Sequence, residues 1–467
     1  MSHSKKSRSK VASFVFENSI FLIGGSLIAL VWANVAPDSY SHFIHDDLIG
    51  REHAGTDDGG STEEGGGKEK NGEESAAIPA EPAAKKQSTS QGKSAETEGQ
   101  AKEEDNSHGH HEFSIYFLVN DLLMAFFFAI AGSEVWEALL PGGALSNPKK
   151  AATPLLATVG GLAGPAAIYI IGCYALGRGD ITNGWAIPCA TDIAFSYLVA
   201  RFIFGQGHPA IAFLLLLAIA DDAAGLVILA IFYPSGKLHL TWLLASVAGV
   251  AIGYGFRKLK LHSFWWYLLI PGSLSWFGFL KSGIHPALGL VPIIVTMPHA
   301  HTDLGIFARE ELDQDDTLNR FTGWWADPVE LFLGLFGLAN AGVAFTSVGS
   351  ATWLVLAGLL IGKPLGITML TWFAQKVLRL EIPGGMNYRD VLTLGMIAGI
   401  GFTVALFVST AAFKAGDPNL DAAKMGALAS FGAAALAIAL ARILRVEKFV
   451  PPDEPDESAA EAITTEG

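Results

Sequence analysis

The chain is poor in cysteine: of 467 residues, only Cys173 and Cys189 carry thiols. Both lie in or beside apolar runs, so the sequence offers neither a disulfide framework nor a cysteine-based metal cluster. Charge is also scarce, at 16% of residues, and it is unevenly placed. Between Asp46 and Glu112, 17 acidic residues face 7 basic ones, which supplies most of the formal net charge of −14. The rest of the chain is close to neutral, and nothing in it argues for binding nucleic acid. The acidic stretch in turn has hardly an aromatic or β-branched residue. It cannot bury enough apolar surface to offset chain entropy and reads as a disordered loop, with His108, His110 and His111 as its solvated end.

What the chain does have is hydrophobicity, at 51% of residues. Spans read from the apolar runs fall near 14–36, 114–140, 154–177, 185–200, 209–233, 240–256, 263–280, 284–298, 326–348, 351–375, 390–412 and 424–441, with 185–200 short for its class. The first follows Lys5, Lys6, Arg8 and Lys10 and is too long for a cleaved signal, so it reads as an uncleaved first helix. These runs predict an all-α polytopic membrane protein of about twelve transmembrane helices. Alternate loops collect Lys149-Lys150, Arg201, Arg257-Lys258-Lys260, Arg309 with Arg320, Lys376-Arg379-Arg389 and Arg442-Arg445-Lys448. The opposite loops carry single bases, an asymmetry that puts both termini in the cytoplasm. The expected division is a cytoplasmic N-terminus (1–13), a first transmembrane helix (14–36), an acidic external loop (37–112), a transmembrane core (113–446) and an acidic cytoplasmic tail (447–467).

Two of the spans are interrupted. Residues 185–200 contain Pro188 and a polar Thr191-Asp192. Residues 390–412 carry Gly395, Gly399 and Gly401, followed by Thr403. Broken backbone survives in lipid only where protein or a water-filled cavity covers it. Each break is the middle of a triplet, 154–233 and 351–441, which predicts two inverted three-helix repeats with crossing broken helices around a midplane site.

The acids inside this apolar setting carry the chemistry. Thirteen Leu, Ile, Val or Phe between Ile211 and Phe232 favour insertion by about 4–8 kcal/mol, and Asp221 and Asp222 take back roughly 5–7 kcal/mol. A helix kept at that margin implies a functional site for protons or cations. The two carboxylates are adjacent, so they point about 100° apart and need a cavity or two partners. Together they could exchange protons for a small hard cation, which takes carboxylate and carbonyl oxygens. Lys363 lies at the centre of its own span and requires a partner: Asp221, Asp192 or the end of a broken helix. Asp121, Glu134 and Glu137 share one span. Glu134 and Glu137 lie on one helical face near the cytoplasmic end, as an entrance funnel or a solvated helix end. Asn340 and Glu330 are candidates to line the cavity, and Lys281 and His285 mark a turn between spans.

The motifs ATDIAF, AIADD, GKPLGI, FGLANAGVAF and GMIAGIGFTVALF, with VNDLLMAFFF, GGLAGPAAIY and LKSGIHPAL, resemble the NhaA-type sodium/proton antiporters in order and spacing. The resemblance runs from Phe113 to Arg445 and includes the first helix. It implies that Asp221 and Asp222 are the cation- and proton-binding pair, that Thr191 and Asp192 stand at the first helix break beside them, and that Lys363 pairs with the binding-site aspartate. It also implies that Asp121 and Glu134 are acids of the second helix, Glu134 in the funnel linked to pH response. The activity implied is electrogenic exchange of external protons for cytoplasmic Na+ or Li+ by alternating access in a bacterial inner membrane. The resemblance implies no cofactor and a transporter in place of an enzyme. Val135-Trp136-Glu137-Ala138 depart from the family, where bases commonly follow Glu134, and the loop 299–324 also differs. The family's small hairpin between the first two helices, which contacts a partner subunit, is replaced or extended by the acidic insert, so a homodimer is allowed without being required. Two other readings stand beside this one: a sodium-coupled solute symporter, and an intramembrane aspartyl protease built on Asp192 and Asp221.

Overall fold

A computed structural model describes residues 20–46, 114–146, 148–299, 316–382 and 384–449. The basic N-terminus, the insert from 47 to 112 with its three histidines, the loop 300–315 and the tail beyond 449 lie outside the described residues. The helical unit contains no β-strand among its described residues.

In chain order the helices are α1 (Ile20–Val35), α2 (Pro37–His45), α3 (Ile115–Leu139), α4 (Pro148–Ala175), α5 (Ile193–Phe204), α6 (Pro209–Phe232), α7 (Leu240–Lys258), α8 (264–282), α9 (Thr317–Asn340), α10 (Ser350–Lys376), α11 (Tyr388–Ala398), α12 (Phe402–Ala412) and α13 (Pro418–Leu444). Six of them, α3, α4, α6, α7, α10 and α13, are long and apolar enough to cross a membrane. Two bent pairs join that class: the 3-10 helix Gly179–Cys189 with α5, bent by 54°, and α11 with α12, bent by 51°. Their outward faces are aliphatic, with Val159, Ile171, Val227, Ile231, Val247, Ile361 and Ile443 exposed, as a hydrocarbon solvent permits.

Local chemistry sets the helix ends. Asp192 caps α5 by accepting from the Phe195 amide at 3.2 Å, and Gly205 ends that helix at φ +82°, a conformation that favours glycine. His208 caps α6 by accepting from the Ala210 amide at 3.1 Å, with Pro209 in the first turn, where its missing N–H costs nothing. Burial holds the His208 imidazole below its ordinary range, opposed by the nearby Asp390 carboxylate, which favours the neutral ring that can accept this bond.

Several boundaries differ from the sequence expectation. The run 284–298 does not form one helix: it is two short turns, Pro286–Leu288 and Val291–Ile294. Pro286, Pro292 and Pro298 each remove a backbone donor there. The span expected at 326–348 lies earlier in the chain. Asp316 starts α9 by accepting from the Asn319 amide at 2.7 Å, and residues 341–349 are irregular. Asn34 of α1 satisfies that irregular backbone, donating to the Val343 carbonyl and accepting from the Phe345 amide, both at 2.9 Å. Residues 37–45, read as the start of the external loop, form α2 instead, and the Tyr40 hydroxyl donates to the Leu338 carbonyl at 2.8 Å.

Two close helix pairs form the frame, and small residues make both possible. On α4 and α10, Gly160 and Gly164 face Gly366 and Gly362 so closely that a Cβ on Gly160 would lie 2.1 Å from the Gly366 carbonyl oxygen. On α1 and α9, a Cβ on Gly25 would lie 2.0 Å from the Gly334 carbonyl oxygen. In each case the obstacle is backbone, which cannot rotate away. Gly160→Ala or Gly366→Ala is therefore expected to destabilise the detergent-purified protein by about 1–3 kcal/mol through overpacking, read as a lower midpoint in thermal unfolding. Ala at Gly432, with nothing within 4 Å of its Cβ position, should leave that midpoint unchanged. The α4 and α10 pair also holds the site: α4 packs on the 3-10 helix and α6, and α10 packs on α11 and α13.

Candidate functional site

The two breaks meet at the centre of the unit and satisfy each other's backbone. The Asp192 amide donates to the Ile400 carbonyl at 2.7 Å, the Thr191 hydroxyl to the Ala398 carbonyl at 3.3 Å, and the Ser196 hydroxyl to the Ile397 carbonyl at 3.1 Å. The carbonyls left over at the end of α11 thus find donors in the opposite break. The Gly401 amide, in turn, donates to the Ser430 hydroxyl of α13 at 3.3 Å.

Asp192 serves both half-helices. One carboxylate oxygen caps α5, while the other accepts from the amide of Thr403 at 3.3 Å and from its hydroxyl. Thr403 is the second residue of α12, so one buried carboxylate faces two helix N-termini, where partial positive charge accumulates. Removing it uncovers both. Asp192→Ala is expected to cost about 0.5–2 kcal/mol for each lost cap, with Asp192→Asn, which keeps an acceptor, costing less; thermal unfolding of the two variants side by side is the check.

Asp221 lies on the inner face of α6 and is 4% exposed. Its Oδ2 accepts from the Thr191 hydroxyl at 2.6 Å and from Lys363 Nζ at 2.8 Å. The same ammonium donates to the Cys189 carbonyl at 2.5 Å, the last residue of the 3-10 helix, where a cation is favoured by the unpaired carbonyls. Two of the partners left open for Lys363, Asp221 and a broken-helix end, are thus taken together, and the third, Asp192, is not. Lys363 is fully buried, so this is an ion pair without solvent. Asp221 Oδ1, also buried, has no hydrogen-bond partner, an exception among buried polar atoms that calls for an explanation.

Beside it, Asp222 is half-buried. Both aspartates line a cavity of about 30 Å3 with Cys189, Gly225, Val404 and Val408 among its walls, room for one or two water-sized occupants. Glu134, Asp221, Asp192 and Lys363 all lie within electrostatic reach of Asp222. Glu134 and Asp222 therefore share a neighbourhood that spacing alone did not reveal. Glu137, one turn on, is 2% exposed and does not line this cavity. Asp121 stands apart on a π-helical turn of α3, with His285 Nδ1 3.8 Å from its carboxylate. Glu330 does not line the cavity either, though its carboxylate is within reach of Asp192.

Sequence reasoning missed two polar residues, Asn120 and Lys424. Asn340 Nδ2 donates to Asn120 Oδ1 at 3.0 Å across α9 and α3; Asn120 adjoins Asp121 but carries no charge to draw attention. Lys424 is 7% exposed with Asp421 as its electrostatic partner. The apolar run places it at the edge of a span beginning at 424, whereas α13 begins at Pro418, which puts the lysine well inside it. The residues that hold Lys363 and Thr191 through main-chain carbonyls, Cys189 and Ala398, have side chains unrelated to that role and left no signal.

An all-helical membrane-spanning unit with a buried ion pair where two interrupted helices cross is the class these features define. The family model described as Na+/H+ antiporter 1 matches residues 90–441, and the chain belongs to that family. A protein of Jannaschia sp. (strain CCS1) named Na(+)/H(+) antiporter NhaA is 47% identical over 470 residues, covering 94% of this chain and 99% of that one. A protein of the same name from Geotalea uraniireducens (strain Rf4) is 42% identical over 435 residues, covering 92% and 96%. The solved structure of the sodium proton antiporter MjNhaP1 from Methanocaldococcus jannaschii aligns over 71% of this chain and 85% of that one. With a TM-score of 0.43 and 12% identity, that likeness bears on neither fold nor site.

Proposed function

We propose that this protein is an electrogenic Na+/H+ antiporter in which protons and Na+ or Li+ take turns at Asp221 and Asp222. It is a transporter and not an enzyme, as the names of its relatives indicate, and its substrates are the transported ions, with no cofactor. The observation that carries the mechanism is the half-used carboxylate of Asp221: one oxygen holds Lys363 and Thr191, and the other is buried without a partner beside Asp222 and a cavity sized for an ion. A monovalent cation entering there gains Asp221 Oδ1, the Asp222 carboxylate and nearby carbonyl oxygens, the donor set that hard cations take.

The proton steps proposed here are a displacement. With Lys363 protonated on Asp221 and Asp222 protonated, the three groups are neutral together. A cation binding between the carboxylates competes with the Lys363 ammonium for Asp221, and the Lys363 proton leaves along with that of Asp222, so the cation-loaded site carries one net negative charge. Two protons then move against one cation, and that one-charge difference between the loaded forms makes exchange electrogenic. Alternating access lets the same groups face each side in turn, with the crossing breaks giving the backbone a place to hinge. Glu134 supplies a further acid near the path of approach, and Glu137 and Asp121 belong to the same helix as candidates for pH response.

The wider reading proposed here has about twelve spans, two inverted repeats built on α4 to α6 and α10 to α13, both termini in the cytoplasm of a bacterial inner membrane, and an acidic external insert. A homodimer is compatible with it. The symporter reading is disfavoured by a cavity of about 30 Å3, which has no room for an organic solute. The protease reading requires Asp192 and Asp221 to share a water, whereas Asp192 is engaged by Phe195 and Thr403 and Asp221 by Thr191 and Lys363. In everted vesicles carrying the protein and an acid interior, added NaCl with no other solute should discharge the pH gradient. Discharge that required an organic co-substrate would select the symporter instead.

A further inference from the structure

The Cys189 carbonyl holds Lys363, and the Cys189 side chain is a separate feature of the same site. It belongs to the last residue of the 3-10 helix, is 3% exposed, and is among the walls of the small cavity at Asp221 and Asp222. The thiol donates to the Leu162 carbonyl of α4 at 3.4 Å and approaches the Trp185 carbonyl at 3.6 Å; Leu162 walls the same cavity. Lys363 ties the cysteine to the carboxylate, donating to the Cys189 carbonyl at 2.5 Å and to Asp221 Oδ2 at 2.8 Å. Asp221 Oδ1 remains, buried and without a hydrogen-bond partner, in a residue only 4% exposed. A cavity of hard oxygen donors thus also holds one soft sulfur.

Donor type decides which ions a site keeps. Hard cations take carboxylate and carbonyl oxygens, whereas thiolates select soft ions. Among the described residues, no group of three or more histidine, cysteine or carboxylate side chains could hold a metal ion, so an ion of the zinc type, which needs several such ligands, finds no cage. A soft monovalent ion asks for less, because a thiolate and one weaker donor hold it at low coordination.

We propose that Cys189 makes this cavity a capture site for a soft monovalent cation of the Ag+ type, held by the thiolate with Asp221 Oδ1 as the second donor. The ion enters by the route of the transported cation, so the proposal rests on the reading of this cavity as the cation site. The step is an exchange without oxidation: the S–H bond breaks, an S–Ag bond forms, and the proton leaves to water. Because Ag+ replaces a proton on a neutral thiol, the charge of the site does not change and the Lys363–Asp221 pair stays intact. Sodium, in the cycle proposed above, instead displaces the protons of Lys363 and Asp222. The captured ion is not released, and it occupies the space that sodium needs.

The test is silver binding to the purified full chain, which does not depend on transport. Silver nitrate is titrated in chloride-free buffer into the Cys173→Ala variant, which leaves Cys189 as its one thiol. A thiolate-to-silver absorption band should saturate at about one equivalent, with about one proton released per ion bound. The band should be absent from Cys173→Ala/Cys189→Ala and from Cys173→Ala/Cys189→Ser, whose serine keeps nearly the same shape; size exclusion of each variant confirms that it is folded. Sodium nitrate at about ten times its own dissociation constant should weaken silver binding about tenfold by competition, and N-methylglucamine nitrate should not. No band in folded Cys173→Ala, or an equal band after Cys189 is replaced, would overturn the capture site. A Cys189 band that sodium leaves unchanged would support capture by the thiol and count against sodium binding at Asp221 and Asp222, so the two readings fail separately.

Discussion

Lys363→Ala should destabilise the folded protein by about 3–5 kcal/mol, the usual cost of removing one partner from a buried ion pair. Lys363 is fully buried, and Asp221 is nearly so. Without the ammonium, the Asp221 carboxylate keeps only the Thr191 hydroxyl, and the Cys189 carbonyl loses its donor. The double variant Asp221→Asn/Lys363→Met should recover most of that loss, because the uncompensated charge and its counterpart go together and a methionine fills the lysine's volume. Thermal unfolding of the wild type, both single variants and the double variant forms a cycle whose coupling term isolates the pair. Additive losses would show that the ion pair does not organise this site. The double variant should nonetheless carry no exchange, which separates the stabilising role of the pair from its proposed proton role.

Asp222→Asn is expected to behave in the opposite way: near-native stability and complete loss of sodium-driven proton movement. Asp222 is half-buried and borders the cavity, and its strongest neighbours are other acids, Glu134 first. Neutralising it therefore relieves repulsion and should cost the fold little. For the proposed chemistry, however, it removes one of two carboxylates for the cation and one of two protons for the return step. Everted vesicles with the variant should match vesicles without the protein at every sodium concentration. Retained exchange with a folded Asp222→Asn would transfer the proton role to another acid, Glu134 being the nearest candidate.

How far the sequence anticipated this arrangement depends on whether a feature leaves its mark in side chains. Asp221, Asp222 and Lys363 stand out because charge inside an apolar run is costly; Thr191, Asp192 and the glycines at 395–401 stand out because they interrupt helices. The sequence also pointed to breaks in two corresponding places, although it put the first at 185–200 within a single span and not between a 3-10 helix and α5. Main-chain partners were invisible: nothing about cysteine at 189 or alanine at 398 foretells a carbonyl used as an acceptor. The adjacency of Glu134 to Asp222 depends on how α3 packs on α6, which periodicity does not encode. Residues 284–298 are apolar enough for a span, but their three prolines limit them to two short turns. Lys424 was missed because a boundary error of six residues moved a buried charge to a helix end.

The most direct measurement is the pH dependence of sodium binding to the purified protein, followed by titration calorimetry or by 22Na retention. If Na+ displaces protons from Lys363 and Asp222, the dissociation constant should rise as pH falls. Its slope should approach a hundredfold per pH unit where both groups are protonated, about tenfold for each proton displaced by linkage. In Asp222→Asn the remaining sodium binding should lose at least one of those protons from its slope. Sodium affinity independent of pH would contradict the account, because proton and cation would then not be competing for these carboxylates.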